Sequence, residues 1–358
     1  MICSSKGSLA RGWVFIGLVA VFAAGLWQAD AGDLLAAGRK RAKVEMKLAT
    51  LAPDGSTWMR IMSELDAEIR ERTDGEAGLK FYPGGIQGDE SVVLRKVRAG
   101  QLHGGGFTGV GLGEIAPELR VLEVPFLFRD LDEVRAVQKS LGPRFEEILR
   151  DAGWELLGWA DVGFVYLFAK EPIQSTDDLR RVRMWLWEGD PLAEEFLDAV
   201  GVSPVPLAIT DVVTSLQTGL IDAVYTSPYA CIALQWFTKI SSMTDLPVTY
   251  AVGAVVVSRS RFEKLSPSAQ EIVKEACARH FARLAKETAR ESEESIRVLS
   301  EKGIAITPLD KSDLAGFQEI GRTVRARLVG KLFPQSLLDR VLQALEEHRA
   351  SSSKASTG

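Results

Sequence analysis

The sequence predicts an α/β protein built as two lobes, and three observations carry that reading. Its 358 residues are enough for two lobes, each around its own core. Strand-like and helix-like segments alternate along most of the chain, the pattern of sheets covered by helices. One helical stretch, Ser266 to Lys302, is too long for a single small lobe. At 1.5 Å per residue it reaches over about 50 Å, so it can brace two lobes or run along a surface. A composition of 46% hydrophobic and 25% charged residues excludes disordered and fibrous classes. The formal charge of −5 offers nucleic acid no basic surface.

Residues 1–31 are set aside as a signal peptide. Lys6 and Arg11 make a basic start, Trp13 to Trp27 is uncharged, and Ala29-Asp30-Ala31 supplies a small-x-small cleavage pattern. Those fifteen residues span about 22 Å, short of a hydrocarbon core of about 30 Å, so cleavage after Ala31 is expected rather than anchoring. Cys3 precedes the apolar run, which argues against a lipoprotein. Export permits disulfides, but Cys231 and Cys277 both fall in helix-like segments and are expected to be unpaired, buried side chains.

Val44 to Thr50 alternates apolar and polar residues and reads as a strand. Asp54-Gly55-Ser56-Thr57 offers a turn and N-cap for a helix carrying Trp58, Ile61, Met62, Leu65 and Ile69 at helical spacing, stopped at Gly75. Leu79 to Tyr82 is a short strand, and Asp89 to Ala99 a helix closed by Gly100. The alternation continues to Gly153 and predicts a mainly parallel sheet. Trp154 to Trp159, Phe164 to Phe168, Met184 to Trp187 and Val252 to Val257 are further strands. Pro191 to Val200 and Ile209 to Thr218 are helices, each closed by a glycine, and Pro334 to Arg349 is the last helix.

Catalytic chemistry finds little support. The three histidines, His103, His280 and His348, share no metal-binding spacing, and the latter two are expected to be solvated on charged helices. There is neither a Cys-x-x-Cys nor a Gly-x-Ser-x-Gly nucleophile turn. Gly104 to Gly109 satisfies Gly-x-Gly-x-x-Gly, but Val110-Gly111-Leu112-Gly113 is too glycine-rich for the helix start that a pyrophosphate needs. A flexible loop near a ligand is the expected role. No catalytic residue, metal ligand or cofactor is assigned.

The aromatic residues stand out. Trp185 and Trp187 lie at i and i+2, on one face of a strand, ahead of a loop at Gly189-Asp190-Pro191. They can fill a core or line a cleft.

Several blocks then occur in a recognisable order. They are Phe81-Tyr82-Pro83-Gly84-Gly85-Ile86-Gln87-Gly88-Asp89, Arg98-Ala99-Gly100-Gln101-Leu102, Val124-Pro125-Phe126-Leu127-Phe128-Arg129-Asp130 and Leu216-Gln217-Thr218-Gly219-Leu220-Ile221-Asp222. With them the chain resembles the periplasmic solute-binding subunits of TRAP transporters, the C4-dicarboxylate-binding type. The resemblance implies a two-lobed periplasmic binding protein fold, with crossing strands and a long bracing helix, that closes over a ligand between the lobes. Lobe I is then expected at 42–160 and about 250–290, and lobe II at 161–249 and about 291–330. Helix 266–302 would brace them, 331–350 would form a C-terminal helix, and 351–358 a disordered tail.

The resemblance also implies two arginines for substrate carboxylates. This sequence places Trp185 and Val165 at those positions, with Arg183 nearby. A carboxylate in a dry cleft without its arginine would face a desolvation penalty of several kcal/mol. Trp185, Trp187, Trp58, Tyr166, Phe107 and Tyr225 are therefore expected to line an aromatic cleft for an apolar or amphipathic ligand. Burying about 150 Å² of aromatic surface contributes nearly 4 kcal/mol before binding costs. Thr226 and Ser227 are candidates for polar contacts, Ser227 equally for capping the helix at Pro228. The Trp-x-Trp-x-Gly-Asp-Pro stretch resembles the subtype associated with a periplasmic TPR-repeat protein. The expected partners are a small-molecule ligand, TRAP membrane subunits and such a TPR protein, in the periplasm. A conventional organic-acid receptor using other polar contacts, or a binding module feeding a sensor, is the alternative.

Overall fold

The computed structural model describes residues 42–355, and the proposed signal peptide lies outside them. The chain opens with strands β1 (Val44–Thr50), β2 (Ala77–Tyr82), β3 (Gly104–Thr108) and β4 (Trp154–Trp159). Between them run the helices Thr57–Arg72, Glu90–Arg98, Gly109–Ile115 and Leu131–Asp151. The chain then crosses into β5 (Gly163–Ala169), β6 (Trp185–Trp187), β7 (Val205–Leu207), β8 (Ala223–Thr226), β9 (Ser242–Thr244) and β10 (Thr249–Ala251). It returns as β11 (Gly253–Ser258) and, after the long helix Pro267–Glu301, adds β12 (Ala305–Thr307).

These strands make one sheet per lobe. The first has the order β2-β1-β3-β11-β4. β1 runs parallel to β2 and β3, whereas β11 is antiparallel to both β3 and β4. The sheet is thus mixed rather than mainly parallel. β4 leaves the first lobe into β5 and β11 comes back into it from β10, so β11 runs opposite to the strands it joins. The second sheet has the order β10-β5-β9-β12, with β8 also paired to β5. β6 and β7 form a short parallel pair joined to β8 through a Met184–Ala223 bridge.

The alternation of β1 places Met46 and Leu48 on one face, against Ile61, Leu65 and Ile69 of the first helix and Val273 and Phe281 of the long helix. A second core is built on Phe168, Trp185, Val212, Leu216, Trp236 and Leu299. The long helix therefore contributes its first half to one lobe's core and its last turns to the other's. It starts where Ser266 accepts from the Ala269 N–H ahead of Pro267 at the first turn. Helix Leu131–Asp151 packs against the C-terminal helix Gln335–Ala355. That last helix continues five residues into the stretch expected to be a tail. Its extension includes Ser351, whose hydroxyl donates back to the His348 carbonyl at 2.7 Å.

Candidate functional site

Two pairs of adjacent strand segments carry the chain between the lobes: β4 into β5, and β10 into β11. They are tied where the Ala160 N–H donates to the Gly253 carbonyl at 2.7 Å and the Val162 N–H to that of Ala251 at 3.0 Å. Beside this hinge, two adjoining cavities of about 110 and 160 Å³ lie between the lobes. They share Thr108, Val162, Trp187, Ile209 and Thr226. Each is close in size to a cavity that holds one benzene-sized molecule, about 150 Å³.

The larger cavity takes Trp58 and Phe107 from the first lobe. Trp58 meets Phe81 edge-on at 5.5 Å, and Gly106 has no side chain where the Trp58 ring passes. Phe107 is on the wall, but its ring packs edge-on to Trp154 at 6.1 Å. The smaller cavity takes Trp185, Trp187, Tyr225, Thr226 and Ser227 from the second lobe, and Val165 from the hinge strand. The two positions where the resemblance implied arginine thus both line this space.

Trp185 belongs to an aromatic cluster and is only 1% exposed. It stacks on Tyr225 at 5.0 Å and on Trp187 at 5.8 Å, and meets Trp236 edge-on at 5.3 Å. Its indole N–H donates to the Leu207 carbonyl at 3.0 Å, and the Trp187 N–H donates to the Tyr225 hydroxyl at 3.0 Å. Core and cleft are therefore not alternatives here, because one cluster does both. Ser227 accepts from the Ala230 N–H at 3.1 Å as the helix cap and lines the cavity as well. Tyr166 is on the wall of neither cavity; it lines an adjoining depression with Trp159, Phe164 and Tyr250, which shares Asp161, Thr288 and Ser292 with the larger cavity. Arg183 is no substitute arginine. It is half exposed and pairs with both oxygens of Asp222 at 2.6 and 2.7 Å.

Sequence reasoning missed the buried charges around this space. Arg120, in the 3-10 turn Pro117–Glu123, contacts Glu123 at 3.1 Å and reaches across the lobes to Asp190 at 2.7 Å. Burial opposes its charge, but Asp190 and Glu123 hold its pKa above the ordinary value. Asp190 also caps the helix Pro191–Val200, accepting from the Leu192 and Ala193 N–H groups. Glu123 accepts from the Val252 N–H at the hinge, and burial pushes its carboxyl up to about 7 against the pull of Arg120. Asp89, the cap of helix Glu90–Arg98, accepts from the Trp187 indole at 3.1 and 3.2 Å and from the Ile209 N–H at 3.1 Å. Asp89 and Arg120 of one lobe are both bound to the other, so the lobes are closed on each other. The signal in the sequence was Arg120 and Glu123 inside an otherwise apolar run, Leu119 to Val124.

The glycine-rich stretch is ordered differently from the expected loop. Gly104 to Thr108 is β3, and Gly109 to Ile115 is helical. The Thr108 side chain accepts from the Val110 N–H, and the buried Glu90 carboxyl accepts from the Gly111 and Thr108 N–H groups at 2.7 and 2.8 Å. Those bonds offset the poor helix propensity of glycine. They also place a carboxyl where a phosphate would have to bind. His280 corrects another expectation: its side chain is 11% exposed and its Nε2 lies 2.9 Å from Glu68. Cys231 and Cys277 are buried and free, as expected. Among the described residues, no group of three or more metal-ligating side chains is arranged around a common point.

The profile of the bacterial extracellular solute-binding proteins of family 7, DctP, matches residues 48–331. A solute-binding protein from Chromohalobacter salexigens is 26% identical over 258 residues, covering 70% of this chain and 74% of its own. The 2,3-diketo-L-gulonate-binding periplasmic protein of Escherichia coli is 25% identical over 287 residues, covering 78% and 84%. Among solved structures, a TRAP periplasmic solute-binding protein from Xanthobacter autotrophicus Py2 with bound β-D-galacturonate superposes with a TM-score of 0.78 at 20% identity. The match covers 84% of this chain and 99% of that one. A Bordetella pertussis extracytoplasmic solute receptor binding pyroglutamic acid gives 0.77 at 20% identity over the same shares. Fold, interlobe cleft and matched length lead to one assignment: the chain belongs to family 7 of the bacterial extracellular solute-binding proteins, the TRAP-type periplasmic receptors.

Proposed function

We propose that this protein captures a small apolar or amphipathic organic ligand in the aromatic cleft and delivers it to TRAP membrane subunits. The supporting observation is that Trp185 and Val165 line the cleft at the two positions where carboxylate-binding arginines are implied. The cavities of about 110 and 160 Å³ suit one aromatic or short aliphatic group each. Trp187, Trp58, Tyr225 and Phe107 supply apolar wall, and Thr226 and Ser227 supply polar contacts that orient the ligand. Tyr166 serves the adjoining depression and not these two cavities. A periplasmic TPR-repeat protein is the proposed second partner, on the resemblance of Trp185 to Pro191 to that subtype. Residues 1–31 serve as a cleaved signal peptide, so the exported chain begins at Gly32.

An organic-acid receptor is the second reading. It is favoured by neighbours such as the Xanthobacter protein with β-D-galacturonate and a Citrobacter koseri protein with D-glucuronate. Native mass spectrometry of the protein purified from the periplasm, followed by extraction of any passenger, separates the two. An apolar or amphipathic passenger, lost in Trp185→Arg, is the expected result. A bound sugar acid or dicarboxylate would overturn the aromatic-cleft reading. The same spectrum gives the mass of the exported chain and tests the cleavage site.

A further inference from the structure

Arg120 is the only cation on the described walls of the two cavities, which carry Glu90, Glu123, Asp161 and Asp190 as well. Within these two cavities a carboxylate-bearing ligand has no other positive group to bind; Arg129 and Arg135 lie on the adjoining depression. The Arg120 guanidinium is already held by Asp190 from the opposite lobe at 2.7 Å and by Glu123 at 3.1 Å. We infer that Asp190 is a specificity-determining residue, which closes the cleft to organic acids by keeping Arg120 paired across the lobes. The inference rests on the aromatic-cleft reading of the same site.

The physical reason is an exchange that an acid cannot complete. To take the guanidinium nitrogen held by Asp190, a ligand carboxylate would have to displace that residue, which is 5% exposed and also caps the following helix, and at the unpartnered Nε of Arg120 it would be a third anion beside Asp190 and Glu123. Asp190 would stay buried with its charge uncompensated, and removing one partner of a buried pair is strongly unfavourable. A neutral ligand leaves the Arg120–Asp190 pair intact. The pair also joins the lobes, so closure does not depend on a charge brought by the ligand.

The test compares thermal unfolding in sodium D-glucuronate with sodium chloride at equal ionic strength, for the full exported chain. Wild type is expected to show no difference between the two salts. Asp190→Asn keeps a side-chain oxygen for the helix cap but removes the charge. Its melting temperature is expected to rise with D-glucuronate, as for a ligand that binds only the folded state, with a dissociation constant at least about tenfold below that of wild type. Asp190→Asn combined with Glu123→Gln should rise further. D-glucuronate binding by wild type as tightly as by Asp190→Asn would overturn the inference, and so would a folded variant that gains nothing. Should Asp190→Asn fail to fold, wild type alone decides: binding of D-glucuronate overturns the inference and its absence supports it. An apolar passenger together with glucuronate binding by wild type sinks only this inference. An acidic passenger sinks the aromatic-cleft reading itself.

Discussion

Gly109 and Gly111 lack side chains because buried carboxyls occupy the space. A Cβ on Gly109 would lie 2.0 Å from Glu123, and one on Gly111 2.6 Å from Glu90. Burial raises both acids, Glu123 to about 7 and Glu90 to about 8. Between pH 6.5 and 8 the folded chain therefore keeps protons that its unfolded form, with an ordinary carboxyl value of 4.5, has already released. Folding is then favoured at the lower pH, and stability falls as pH rises through that window. His103, lowered by burial to about 4 from 6.5, works in the opposite sense, but its effect is complete above 6.5. Calorimetry at constant ionic strength should show the melting temperature dropping from pH 6.5 to 8. A rise would mean that Glu90 and Glu123 are ionised in the folded chain. The sequence disclosed the tryptophan pair, because i and i+2 share a face in any strand. It concealed the acids, because a glutamate is read as solvated unless its neighbours in space are known.

At the scale of elements, the long helix was legible in both length and ends: Pro267 to Glu301 is bounded by Ser266 and Gly303. Its attachments were not, since they are long-range. Phe281 fits over β4 where Gly158 leaves room; a Cβ there would lie 2.3 Å from the ring. With Val273, Cys277 and Leu284 it fixes the helix to the first lobe, while Leu299 reaches the second core. Phe281→Ala should lower the unfolding free energy by about 3–5 kcal/mol, the usual result of emptying a buried aromatic site. A urea midpoint within experimental error of wild type would show that the helix is held elsewhere. The helix Gly109–Ile115 was hidden for the complementary reason. Its own residues disfavour helix, and the stabilising acceptor, Glu90, is nineteen or more positions away in sequence.

For the molecule as a whole, two polar clasps contribute to closure, Arg120 with Asp190 and Asp89 with Trp187 and the Ile209 N–H, beside apolar packing between the lobes. Trp187→Phe keeps a ring in the cluster but removes the indole donor to Asp89. A hydrogen bond to a charged group is worth about 1.5–3 kcal/mol, so the variant should shift the open-to-closed ratio on the order of tenfold or more. Small-angle X-ray scattering would register this as a larger radius of gyration in the variant without ligand. An unchanged scattering curve would show that the Trp187–Asp89 bond does not hold the lobes closed. Two lobes were foreseeable from length and from the oversized helix, whereas the mixed direction of the first sheet depended on where β11 returns. That return also governs the order of assembly. β11 lies between β3 and β4, so the N-terminal sheet stays split until residues 253–258 arrive, and the other lacks β12 until residues 305–307. Neither half can complete its sheet while most of the chain is still being made. Such long-range pairing slows folding, so a chain exported by the proposed signal peptide would have longer to be threaded across a membrane before its sheets close.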